Sequence, residues 1–151
     1  MAPDGGDHVE AVDPWLERLM AYRIHHRDVV EMVVPNAWVR VDEGADRIGD
    51  VGVYLAGGPG ARRIPDRVPE LMFEVVSPGR ASRERDYVEK RADYERLGVK
   101  EYVVVDRFAK RVTVLTLGPG GYRERVLTAA DVYASPLLPG LEVAVSEVFA
   151  R

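Results

Sequence analysis

The chain has 151 residues, 46% hydrophobic and 30% charged, with a net charge of −4 and no cysteine. This balance excludes a disordered polymer, and the missing thiols exclude a disulfide framework or a thiolate metal site. No apolar run approaches the roughly 18 residues of a membrane helix, so the sequence reads as a cytoplasmic domain with no membrane partner.

Met1–Glu10 is polar, acidic and glycine-rich, without the basic and apolar regions of a signal peptide. Residues 1–12 read as a disordered tail, and residues 13–151 as one domain. Asp13 is placed to cap a helix with Pro14 in its first position, running from Trp15 to Ile24. Asp28–Val34 and Trp38–Val41 read as a hairpin turned at Pro35–Asn36, followed by a polar loop over Asp42–Arg47. Asp50–Leu55 is a strand, and Gly57–Pro69 is a loop of glycine, proline and three arginines.

Leu71–Val76 is a continuous apolar run broken by one charge, which predicts a central strand covered on both faces. Ser77, Pro78 and Gly79 end it. Ser82 is placed to cap a helix reaching Leu97, with Gly98 at the left-handed position that closes it. Glu101–Asp106 predicts a second buried strand, parallel to the first because a helix separates them. Arg111–Leu117 and Tyr122–Val126 form a hairpin, Pro136–Leu141 is extended, and Val145–Ala150 is a short helix. The order predicts an α/β (α+β) fold, a mixed sheet flanked by helices.

Glu74 is the ionisable residue inside the apolar strand, and burying a carboxylate is costly unless a cation or donors compensate it. A salt bridge or a solvent-facing strand end would also account for it. Tyr87, Lys90, Tyr94 and Leu97 share one helical stripe, which turns Lys90 toward the sheet; a snorkelling lysine is the plainer alternative. Asp50 opens a strand, where ligand sites gather, although turns use aspartate in the same way. Two carboxylates from neighbouring strands suit Mg²⁺ or Mn²⁺, and a lysine beside them suits charge stabilisation at a phosphate. His25 and His26 are adjacent and do not face one way, His8 lies in the tail, and Gly57-Gly58-Pro59-Gly60 lacks the lysine of a phosphate loop. Basic residues cluster at Arg62, Arg63 and Arg67, and again at Arg80, Arg83, Arg85, Lys90 and Arg91.

The runs Pro69–Pro78, Glu89–Tyr94, Gly98–Asp106 and Ser135–Leu141 resemble the Uma-type family of restriction-endonuclease-like proteins over about Asp46 to Phe149. The resemblance implies a PD-(D/E)xK nuclease fold and a divalent-metal site. It would place the metal on Asp50, Glu74 and the carbonyl of Val75, with Lys90 and its neighbour Tyr94 at the scissile phosphate. For the family's upstream acidic residue the only placement offered is Glu31. The family lacks a lysine two residues after that glutamate, and Val76 holds the place here; two positions depart from the family pattern, Gly49 standing for the proline before the aspartate and Val103 for a tryptophan. The implied activity is metal-dependent hydrolysis of DNA, most easily by a homodimer if both strands are cut. The alternatives are a nuclease fold that binds DNA or a protein without turnover, and a purely structural α/β protein.

Overall fold

The computed structural model describes residues 5–76 and 80–149. Six strands form one sheet in sequential order: β1 (Val30–Asp42), β2 (Ala45–Leu55), β3 (Leu71–Val75), β4 (Glu101–Asp106), β5 (Arg111–Gly118) and β6 (Gly121–Leu127). Neighbours are antiparallel except β3 and β4, which are parallel across helix α2 (Arg80–Leu97), as the strand–helix–strand order predicts. A two-stranded ribbon, β7 (Val132–Tyr133) with β8 (Val143–Ala144), and helix α3 (Val145–Val148) complete the C-terminal part.

The period of two along a strand separates two cores. Leu71, Phe73 and Val75 of β3, with Val103 and Val105 of β4, face helix α1 (Gly5–His25) and the C-terminal segment. Met72, Tyr102 and Val104 face the other way, packing with Tyr94 of α2. Glu74 shares the parity of Met72, so the alternation that buries Phe73 and Val75 points its carboxylate beneath α2. Helix α2 ends where its C-cap glycine was expected: Gly98 has φ +87°, and its N–H reaches the Tyr94 carbonyl at 3.1 Å.

Several boundaries differ from the sequence reading. The expected tail is helical from Gly5, while Met1–Asp4 lie outside the described residues, and Pro14 sits inside α1 rather than at its start. The buried stripe of Trp15, Leu19 and Tyr22, with Ala11 and Val12 packed alongside, continues past the proline, and this packing overrides the proline's missing donor. The Pro35–Asn36 turn is not formed. β1 runs through it, with Asn36 at φ +52°, and the chain reverses at Glu43–Gly44 instead. Proline is tolerated there because β1 is an edge strand. α2 starts at Arg80, ahead of the expected cap at Ser82. The Ser77–Gly79 strand end and the side chains of Ser82, Arg80, Arg83 and Arg85 lie outside the described residues.

The C-terminal segment is tied to the sheet by a buried carboxylate. Glu101 accepts the Tyr133 and Ser135 hydroxyls, each at 2.6 Å, and Leu138 enters the first core. Burial holds the Glu101 carboxyl above the usual glutamate range, against the lowering pull of Ser135 and Tyr133. Its contribution to stability is therefore full below the usual glutamate value and is lost as pH rises through its folded value. Glu101→Gln should accordingly gain stability on the parent between about pH 4 and pH 8. Glu101→Ala, which strands two buried hydroxyls, should cost about 1–3 kcal/mol. Urea unfolding across that pH range checks both.

Candidate active site

Asp50, Glu74 and Lys90 come together at the Val75 end of β3. β2 and β3 are paired from Val51↔Phe73 to Val53↔Leu71. Past that register, the Asp50 carboxylate takes over: its Oδ2 accepts the N–H of Val75 at 2.7 Å. Its Oδ1 lies 2.8 Å from Nε2 of His8, reaching in from α1. Glu74 is held from the other side of the sheet. Lys90 Nζ donates to its Oε1 at 2.8 Å, and the Tyr102 hydroxyl donates to its Oε2 at 3.0 Å. The helical stripe of α2 therefore does turn Lys90 inward, and only 16% of that side chain is exposed, against 13% for Glu74.

Gly49 explains one departure from the family pattern. A Cβ at this position would run into the side chain of Met72, so methionine fills the space that a larger residue before Asp50 would need. A proline there would require Met72 to move.

Burial raises the Glu74 carboxyl above the usual glutamate value; Lys90 is the main opposing influence, Asp50 adds to the rise, and the Tyr102 hydrogen bond opposes it. The Tyr102 hydroxyl is itself held well above its ordinary value, first by burial and then by Glu74. His8 Nδ1 is buried with no hydrogen-bond partner.

Two further expectations are placed differently. Tyr94 is fully buried, its ring edge-on to Tyr102 with centroids 4.9 Å apart. It packs against the tyrosine that holds Glu74. Glu31 is remote: it lies five residues along β1 from the position beside Asp50, roughly 16 Å at strand rise. It accepts from Arg62 and Arg67. Arg67 is nearly buried, its guanidinium 5.2 Å from the Tyr54 ring centroid, so the first arginine cluster partly braces a loop. His25 is exposed, and His26 stacks on Tyr22.

Sequence reasoning missed His8 and Tyr102. Tyr102 was findable, since it shares the parity of Met72 and Glu74 across the parallel pair. His8 carries no local signal when the helix is read as starting at Trp15.

The donor set fits a divalent cation. Two carboxylates from adjacent strands lie close enough to act on each other, and the Glu74 carboxyl is raised first by burial and further by Asp50. Among the described residues no three histidine or acidic side chains are grouped to hold a metal ion, so a cation here would rest on the two carboxylates and on water, a ligand set that Mg²⁺ accepts.

A family model described as Uma2, putative restriction endonuclease, matches residues 1–146. The fold resembles the crystal structure of a putative nuclease belonging to DUF820 from Anabaena variabilis ATCC 29413. The TM-score is 0.74 at 10% identity, covering 95% of this chain and 80% of that one. No curated protein matches. No helix among the described residues is long and apolar enough to cross a membrane.

Proposed function

The chain belongs to the Uma2 family of putative restriction endonucleases, and from that premise we propose that it is a Mg²⁺- or Mn²⁺-dependent endonuclease acting on DNA. The observation that supports the reading is the buried Glu74 carboxylate, held by Lys90 at 2.8 Å beside the neighbouring carboxylate of Asp50.

Asp50 and Glu74 would hold the cation, with the Val75 carbonyl as a further ligand. When bound, it supplies Lewis acidity at the scissile phosphate. The chain's own residues do the rest. His8 and the Val75 N–H fix the two oxygens of Asp50, and Tyr102 fixes Glu74, with Tyr94 packed behind it. Lys90, which donates to Glu74, would also offer its ammonium to the charge that develops on the phosphate oxygens.

Calorimetric titration with Mn²⁺ tests the metal assignment without relying on turnover. The parent should bind. Asp50→Asn and Glu74→Gln, which keep size and hydrogen-bonding capacity, should each weaken binding by about tenfold or more, the loss expected for a charged ligand. Equal binding by all three proteins would remove the metal from this site and leave a nuclease fold that only binds its partner.

A further inference from the structure

A polar trough of about 300 Å³ lies beside the site, on the α2 face of the sheet. Its floor is a straight cross-strand row. Val104 is directly opposite Glu74, Thr113 is opposite Val104, and Val126 is opposite Thr113. At the usual spacing of neighbouring strands this row runs about 14 Å from Glu74 to the edge of the sheet. Tyr87 of α2 forms the wall, one turn ahead of Lys90, with its ring stacked on Tyr102. The trough therefore lies one strand from Glu74, and Tyr102, which holds Glu74, also supports its Tyr87 wall.

Its chemistry is not that of a phosphate site. Asp106 and Glu124 bring two carboxylates, and Arg111 brings one guanidinium. A second guanidinium, Arg91, is already 3.3 Å from Glu124. The charges balance, the floor is partly apolar, and one wall is aromatic. With its charges balanced, the trough offers a polyanionic backbone no net attraction. A neutral planar heterocycle would find a stacking edge in Tyr87, acceptors for its amino groups, and donors for its ring nitrogens and carbonyls in Arg111 and Thr113.

We infer that this trough takes an unpaired nucleobase next to the phosphate held at Asp50, Glu74 and Lys90, so that the preferred substrate is single-stranded or locally unpaired DNA. The inference rests on the proposed nuclease reading and adds the form of the substrate. A base held in a duplex stack cannot enter, and a single-stranded substrate removes the need for a second copy of the chain to cut a second strand.

The test is binding of a single-stranded DNA dodecamer carrying 2-aminopurine, and of the same strand in a duplex, measured by fluorescence in EDTA so that no cleavage occurs. The parent should bind the single strand about tenfold or more tighter than the duplex, with a change in 2-aminopurine emission, because stacking one base is worth that much. Val126→Trp fills the trough from an exposed position on β6, and Arg111→Ala removes a donor from another strand. Each should weaken single-strand binding and leave duplex binding unchanged. Equal affinity for both forms, or two variants that bind single strands as the parent does, would overturn the inference. If the base enters but no DNA is ever cut with metal present, the nuclease reading alone fails.

Discussion

Lys90→Ala should lower both stability and cleavage, and the two losses should separate on a second substitution. Removing the lysine leaves Glu74 in its half-closed pocket with Tyr102 as the remaining side-chain donor at 3.0 Å. Stranding one member of a buried pair costs about 3–5 kcal/mol; both side chains keep a small exposed fraction here, so about 3 kcal/mol at pH 8 is expected. Because the Glu74 carboxyl already titrates above its usual value, losing Lys90 raises it further. The penalty should therefore shrink as pH falls and the carboxyl takes up its proton. Cleavage should fall by about 10²- to 10³-fold, the scale of losing one preorganised donor to a developing charge. Glu74→Gln combined with Lys90→Met should recover most of the stability and none of the cleavage. Urea unfolding at two pH values, with plasmid cleavage beside it, reads both.

Trp15→Ala should act on the site from a distance. Trp15 is buried between Phe73 and Tyr133, with ring centroids at 5.6 Å and 5.5 Å. Truncating such a residue costs about 3–5 kcal/mol. Trp15 also anchors the helix that delivers His8 to Asp50, so loosening α1 frees one oxygen of the carboxylate that should hold the cation. The expected result is a large loss of thermal stability together with weaker Mn²⁺ binding. His8→Ala should weaken binding with little change in melting temperature. Calorimetry and thermal unfolding of the two variants together distinguish a misplaced helix from a lost contact.

The parts of the fold that the sequence made legible are those where one physical signal dominated. The apolar run of β3, the helix stripe of α2 and its closing Gly98 led to a parallel β3–β4 pair with Glu74 facing Lys90. Period two in the strands and 3.6 in the helix determine those facings by themselves. The hairpin failed because Pro35–Asn36 has turn chemistry, yet an edge strand absorbs a proline without losing a ladder bond. α1 was cut short because Pro14 looks like a first-turn residue, whereas packing of Ala11, Val12 and Trp15 carries the helix through it. His8 was lost with that boundary. Glu31 has only its residue type to suggest it, and β1–β2 register places it at the Leu55 end of the pair, far from Asp50. Contacts between segments distant in sequence, such as the Tyr133 and Ser135 hydroxyls on Glu101, carry no local pattern to read.

The most direct measurement of the central claim is plasmid cleavage by the purified protein across Mg²⁺ and Mn²⁺ titrations, with Glu74→Gln and Lys90→Ala run in parallel. Cleavage by the parent that requires metal and disappears in both variants is the predicted result. Cleavage that is indifferent to metal, or equal in all three preparations, would contradict the assignment of Asp50, Glu74 and Lys90 as a metal-dependent nuclease centre.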